Sequence, residues 1–182
     1  MKTIRFFLGK MLYFFVFSMV VLKRICLFPF KKHTNSMRII IRQAIWKTKL
    51  GYLGKNTNIY PYVLIHDPEA VRIGSNVDIA EFVHIWGGGG VEIGDFSIIA
   101  SHVVITSLTH DANSPIYRDT IIKKSVKIGK GVWIGAGAII LPGISIGDKA
   151  VIGAGSVVTH NVDTNTIVVG VPARTLRQIK TG

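Results

Sequence analysis

The sequence predicts a parallel β-helix of stacked triangular coils, and three observations carry that prediction. Aliphatic residues recur every six positions, as Ile128, Ile134, Ile140, Ile146, Ile152 and Val158. The same ladder runs earlier as Leu53, Ile59, Ile65, then Ile73, Ile79, Ile85, then Ile93, Ile99, Ile105. Helices repeat at about 3.6 residues and strands at about 2, so neither produces this period. A Val-x-Ile-Gly tetrad punctuates the ladder at Val71–Gly74, Val91–Gly94 and Val126–Gly129, with Ile for Val at Ile144–Gly147. The step between tetrads is eighteen residues from Ile128 to Ile146 and twenty from Ile73 to Ile93. Three hexads make eighteen, so each unit is one turn of a prism, and the longer coils carry a two-residue insertion at one corner. About five coils are expected, each burying its core only against its neighbours.

The elements follow in chain order. Residues 1–50 read as an apolar, basic, helical segment and 51–178 as the repeat domain. Within 1–32, Met11 to Leu22 is an uncharged run of twelve between Lys10 and the pair Lys23-Arg24. As a helix it would be about 18 Å long, short of a hydrocarbon core of about 30 Å. Contact with a membrane surface is the favoured reading. A helix packed on the body is one alternative. A spanning helix reached by extending back to Ile4, with Arg5 and Lys10 snorkelling, is another. The expected location is cytoplasmic and peripheral at the membrane. Residues 36–50 alternate Ile39, Ile40, Ile41, Ile45 and Trp46 with Arg38, Arg42, Lys47 and Lys49, an amphipathic helix leading to Gly51 and Gly54.

Inside the repeat, the hexad residue points into the prism. The residue after it is often Gly (74, 94, 129, 135, 147, 153), expected to permit the corner's backbone angles. Four positions beyond the hexad residue, a small or β-branched side chain also faces inward: Val77, Val83, Ser97, Val103, Thr109, Val132, Ala138, Ala150 and Ser156. From Ile93 to Ile128 the step is thirty-five, leaving about seventeen residues beyond a plain coil of eighteen. They fall between the hexads of Ile105 and Ile128, as a polar loop from Asp111 to Ser125 holding Pro115, Tyr117, Arg118, Asp119, Lys123 and Lys124. A loop this long, rooted on a rigid scaffold, is a place for function and is long enough to cover an active site.

Charge narrows the choice of partners. The net charge is +12, and residues 1–66 hold twelve Lys/Arg and no acid, whereas 67–182 hold ten of each sign. The repeat body is neutral, which argues against a nucleic-acid-binding module. The basic N-terminal third fits an anionic membrane surface instead. The single cysteine, Cys26, gives no disulfide framework.

Of six histidines, His110 is placed best for chemistry, ending a hexad and opening the inserted loop in Ser107-Leu108-Thr109-His110-Asp111. An imidazole near its ordinary pKa is suited to general-base work. The competing reading is a corner histidine bonded to a loop carbonyl. Asp111 is adjacent and is not expected to orient the ring. His84 and Trp86 stand in His84-Ile85-Trp86 before Gly87–Gly90, where four glycines allow close approach by a ligand or a neighbouring subunit, or simply form the corner insertion.

Three motifs carry a family resemblance: Val132-Trp133-Ile134-Gly135, Ile152-Gly153-Ala154-Gly155-Ser156-Val157-Val158-Thr159 and Gly170-Val171-Pro172-Ala173-Arg174. Over residues 50–178 the chain resembles the hexapeptide-repeat acyltransferases, most closely the galactoside and maltose O-acetyltransferase branch and its polysaccharide-modifying relatives. The resemblance implies a left-handed coil, a homotrimer and acetyl-CoA held between neighbouring subunits. It implies an acetyl-CoA-dependent O-acetyltransferase acting on a sugar hydroxyl, of a surface polysaccharide or lipid-linked glycan, with His110 as the base. It also implies that Ala136 and Ala154 present backbone to the pantetheine arm, that Thr159 and His160 make the next contact, and that Arg174 and Arg177 reach the nucleotide phosphates. Trp133 is placed beside the channel, and His84 and Trp86 at the acceptor. For Arg174, Arg177 and Lys180 the competing reading is a solvated helix face. An acceptor-binding Asn of the sugar acetyltransferases aligns with Ala80 here, a departure from the pattern. Aminosugar N-acetylation and a non-catalytic scaffold are the competing functions. A γ-class carbonic anhydrase would need a His-x4-His pair, which the sequence lacks, so no metal site is expected.

Overall fold

The structure, a computed structural model, describes residues 39–180. The segment 1–32 and its membrane reading lie outside the described residues. Contacts divide the chain into a unit of residues 1–42 and a unit of residues 43–182. Helix 39–49 covers most of the amphipathic stretch expected over 36–50. In the second unit, Trp46 packs on the core and Leu50, whose amide donates to the Trp46 carbonyl, is buried there. Among the described residues no helix is long and apolar enough to cross a membrane.

The hexads become short strands on three parallel sheets. The first face stacks Tyr52–Leu53, Val71–Ile73, Val91–Ile93, Val126–Ile128 and Ser145–Ile146. The second stacks Asn58–Ile59, Asp78–Ile79, Ile98–Ile99, Trp133–Ile134, Val151–Ile152 and Thr166–Val169. The third stacks Leu64–His66, His84–Trp86, Val104–Thr106, Ile139–Ile140 and Val157–Val158. This gives the expected five coils, and a partial sixth begins where Val162 bridges to Ile146. Arg174–Gln178 closes the second sheet as an antiparallel strand on Thr166–Val169, so Arg174 and Arg177 sit on a strand, with Lys180 just beyond it, and not on a helix face.

Register delivers the core. Ile73 pairs with Ile93, Ile93 with Ile128 and Ile128 with Ile146, so like residues form columns along the tube. The hexad isoleucines from Ile73 to Ile152 are at most 3% exposed. Burying each contributes about 1.5–3 kcal/mol of transfer free energy. Most of the expected second inward positions are buried too, and polar ones are satisfied. Ser97 donates to the Gly129 carbonyl at 3.0 Å and accepts from the Val132 amide at 3.2 Å. Thr109 does not face inward as expected: it lies exposed on the inserted hairpin, and Ser107 takes the buried place. Ser107 donates to the Trp86 carbonyl at 2.6 Å and accepts from the Gly89 amide at 2.8 Å.

The corners differ in kind. The first and second each hold one left-handed residue per coil, and most donate their amide to a carbonyl one coil earlier. At the first corner these are Asn56, Asn76, Phe96, Gly131, Lys149 and Asn165; at the second, Tyr62, Phe82, His102, Gly137 and Gly155. The glycines following the hexad residues serve a different purpose from the one expected. Gly94 does not have positive φ, but a Cβ there would lie 2.6 Å from the Gly129 carbonyl carbon, so it is selected by the close approach of successive coils. The third corner absorbs every insertion: the 3-10 turn Pro68–Ala70, the glycines 87–90 and the long hairpin after Ser107. The parallel strands of the three faces pair in register, so the tube's irregular third corner is where chemistry can be built.

Candidate active site

The inserted segment is a β-hairpin. Leu108–His110 pairs antiparallel with Ile121–Lys123, with His110 opposite Ile121. A 3-10 turn, Tyr117–Asp119, closes its tip region. His110 is exposed, and its Nδ1 lies 2.6 Å from the Tyr117 carbonyl oxygen. A carbonyl can only accept, so Nδ1 carries the proton and donates. In the neutral ring Nε2 then holds the lone pair, which is the form a general base needs. The two readings of His110, base and loop-bonded histidine, are therefore compatible: the loop bond uses one nitrogen and leaves the other open.

The orienting group is a backbone oxygen, which leaves no signature in a sequence. Thr120 reinforces it, since its amide and its hydroxyl each donate to the Tyr117 carbonyl at 3.2 Å. The same hydroxyl accepts from the Asp111 amide at 3.3 Å. Asp111 itself caps a turn by accepting from the Asn113 amide at 2.9 Å.

His84 and Trp86 project outward from the third face and are joined by a residue the sequence reading missed. His66 stacks on Trp86 with ring centroids 4.0 Å apart, and His84 lies 5.2 Å from each. The coil step of twenty, which sets His66 under Trp86, was the available signal. Nε2 of His84 is buried without a hydrogen-bond partner. Burial first, and the neighbouring His66 second, hold the His84 pKa below its ordinary value of 6.5. The lowered pKa favours the neutral ring, which suits a buried nitrogen that has no hydrogen-bond partner among the described residues. Gly87–Gly89 are closed by the chain's own coils: a Cβ on Gly87 would lie 2.8 Å from the Asp67 carbonyl oxygen, and one on Gly88 3.3 Å from Leu108.

The residues assigned to the cofactor do not share one pocket. Ala136 and Ala154 are exposed on the second corner in adjacent coils, where the Gly155 amide donates to the Ala136 carbonyl at 2.8 Å. A Cβ on Gly137 or Gly155 would meet nothing within 4 Å, so a thin arm could run along this edge unobstructed. Trp133 is 54% exposed on the second face, between Ile98 and Val151. His160 and Arg174 line an open cleft of about 320 Å³ at the C-terminal mouth of the tube, floored by Val158, Val162 and Val168. Thr159 shares a 2.8 Å hydrogen bond with Nδ1 of His160. Arg174 and Arg177 each donate to a backbone carbonyl of their own strand, at 3.0 and 3.3 Å, and remain exposed. The residues expected as base and at the acceptor, His110, His84 and Trp86, thus gather toward the third corner, and those expected along the pantetheine arm, Ala136 and Ala154, lie on the second.

Known proteins share this architecture. The family described as the hexapeptide repeat of succinyl-transferase matches residues 125–160. Galactoside O-acetyltransferase of Escherichia coli K12 is 31% identical over 148 residues, 81% of this chain and 73% of its own. The hexapeptide-repeat acetyltransferase of Vibrio cholerae, solved with acetyl coenzyme A, superposes with a TM-score of 0.75 at 30% identity over 78% of each chain. A maltose O-acetyltransferase of Clostridium difficile does so with a TM-score of 0.73 at 36% identity, covering 77% of this chain and 75% of its own. With the hexapeptide repeat, the superposition and the sequence identity in agreement, the chain belongs to the hexapeptide-repeat acyltransferase family.

Proposed function

We propose that the protein is an acetyl-CoA-dependent O-acetyltransferase that esterifies a sugar hydroxyl, with His110 as general base, and that it works as a homotrimer. The observation that carries the reading is the 2.6 Å bond from His110 Nδ1 to the Tyr117 carbonyl. That bond aims a lone pair outward from the hairpin. Nε2 takes the proton of the acceptor hydroxyl as its oxygen attacks, and the backbone carbonyl stabilises the imidazolium that results. Acetyl-CoA supplies an activated acyl group and a good thiolate leaving group. Ala136, Ala154, Thr159 and His160 would hold its arm, Arg174 and Arg177 its phosphates through charge-assisted bonds, and Trp133 would flank the channel. His84 and Trp86 would face the acceptor.

The acceptor is read as a surface polysaccharide or lipid-linked glycan, because twelve cations and no acids in residues 1–66 suit a protein working beside an anionic membrane. Co-sedimentation with phosphatidylglycerol vesicles tests that part, and a full-length chain left in the supernatant would contradict it. The catalytic reading is tested by replacing His110 with Ala, which should lower turnover by about 10²–10⁴-fold without loss of acetyl-CoA binding. Turnover like that of the unmodified enzyme would remove His110 from the mechanism. Mass spectrometry of the product separates a sugar ester from an aminosugar amide.

A further inference from the structure

Tyr62, Phe82 and His102 occupy the second corner of three successive coils, with left-handed φ of 63°, 62° and 61°. Their rings form a ladder. Tyr62 and Phe82 lie 5.2 Å apart and Phe82 and His102 5.0 Å, each pair within 7° of parallel. Gly137 and Gly155 continue the same column in the next two coils, at φ 68° and 67°. The Gly137 amide donates to the Ser101 carbonyl and that of Gly155 to the Ala136 carbonyl, which fixes the register.

Folding does not account for the aromatic half of this column. The left-handed region favours glycine and asparagine and is unfavourable for bulky side chains. At the first corner four of six such positions take the easier solution, Asn56, Asn76 and Asn165 at φ between 55° and 56° and Gly131 at 64°, and a single aromatic, Phe96, stands there without stacked neighbours of its own column. Nor does the core use these rings, since Tyr62 is 75% and Phe82 51% exposed, and His102 is exposed as well. Bulky residues held in strained backbone on a surface point to a role beyond folding.

The ladder also ends where the pantetheine positions begin. Beyond His102 the corner turns to Ala136-Gly137 and Ala154-Gly155, with open space over both glycines. Glu81 and Ser101 directly precede Phe82 and His102, adding a carboxylate and a hydroxyl to the aromatic stretch. Exposed aromatic surface beside a few polar groups matches a sugar ring, which offers apolar C–H patches ringed by hydroxyls.

We propose that Tyr62, Phe82 and His102 are the acceptor platform. They receive the apolar face of a pyranose ring, and Glu81 and Ser101 receive its hydroxyls. Acceptor and acyl donor then meet end to end on one edge of the tube, at the step from His102 to Gly137. The inference rests on the reading of Ala136 and Ala154 as the pantetheine track. It makes the aromatic rungs determinants of acceptor specificity.

The test uses the full chain and two probe sugars, maltose and methyl β-galactopyranoside, in saturation-transfer NMR, with acetyl-CoA affinity measured by calorimetry. Replacing Tyr62 and Phe82 together by Asn removes the rings but keeps a residue that the first corner holds at the same φ. The double variant should lose at least fivefold in saturation of the sugar C–H protons, with acetyl-CoA affinity unchanged. Tyr62→Phe and Phe82→Tyr should each behave as the unmodified chain. The proposal is overturned if the double Asn variant is saturated as strongly as the unmodified chain, or if neither sugar is saturated by the unmodified chain. It is equally overturned if the double variant sediments as a smaller species, which would make the ladder a contact between copies. If the sugars are saturated but the unmodified chain fails to bind acetyl-CoA, the cofactor reading falls and the platform stands.

Discussion

Replacing Thr120 with Val probes the hairpin without touching the imidazole. Val keeps the shape and the backbone, and so keeps the Thr120 amide bond to the Tyr117 carbonyl. It deletes the hydroxyl that donates to that carbonyl at 3.2 Å and accepts from Asp111 at 3.3 Å. The carbonyl loses one of three donors, and the strand end bearing His110 loses a side-chain tie to the return strand while keeping its backbone pairing. Each hydrogen bond is worth about 0.5–1.5 kcal/mol net. If 1–2 kcal/mol of that total appears as misorientation of His110, turnover falls by about 5–30-fold. The assay is initial-rate acetyl transfer followed by thiol release, at saturating acetyl-CoA. The KM for acetyl-CoA should stay fixed, because nothing on the cofactor edge has changed, and Thr120→Ser should restore most of the rate. A Thr120→Val enzyme with unaltered kcat would refute the claim that the Tyr117 carbonyl positions the base. So would a Ser variant as slow as the Val one.

Two further outcomes follow from burial. Ile134 is fully buried while Ile98, in the adjacent strand of the same sheet, is 50% exposed. Ile134→Ala should cost about 2–5 kcal/mol in urea denaturation, whereas Ile98→Ala should stay within about 0.5 kcal/mol. His84 has a folded-state pKa below 6.5, lowered by desolvation and then by His66. The unfolded chain therefore binds the proton more readily between the folded pKa and 6.5, so stability falls as pH drops through that window and levels off below it. His84→Asn should flatten this part of the stability–pH curve, and an unchanged slope would show that other groups set it.

Much of the architecture was legible because the coil imposes one period on the whole chain. Each inward isoleucine announces itself six residues from the last, and a departure from six locates an insertion. The intervals from Ile65 to Ile73, Ile85 to Ile93 and Ile105 to Ile128 all put the excess at the third corner, where the hairpin and the glycine run are found. His110 could be singled out because it stands at the largest excess. What escaped was whatever depends on contacts across coils. Thr109 was assigned inward by counting, but the hairpin leaves the tube at Leu108 and takes Thr109 with it. The glycines after the hexads were assigned to backbone freedom, yet Gly94 is needed for clearance and the left-handed residue follows two positions later, at Phe96. His66 was missed because its partner Trp86 lies twenty residues away, and stacking between coils has no local pattern.

The placement of the site on two corners bears on assembly. His110 rises from the third corner, and Ala136 and Ala154 lie on the second. These corners bound opposite edges of one face, separated by a strand and its turns, roughly 13–20 Å at the usual rise per residue. Base and pantetheine track become adjacent when the third corner of one copy faces the second corner of the next. This predicts complementation. A chain with His110→Ala keeps a sound cofactor edge, and a chain with Gly137→Phe keeps a sound base. Each alone should be nearly inactive. Co-refolded at equal amounts, they would mix at random in the proposed trimer, and about one quarter of its contacts would bring together the sound edge of each. Activity should return to about that fraction of the unmodified enzyme. Mixtures that stay inactive while sedimenting as mixed trimers would mean that base and cofactor edge act within a single chain, and the composite site would have to be abandoned.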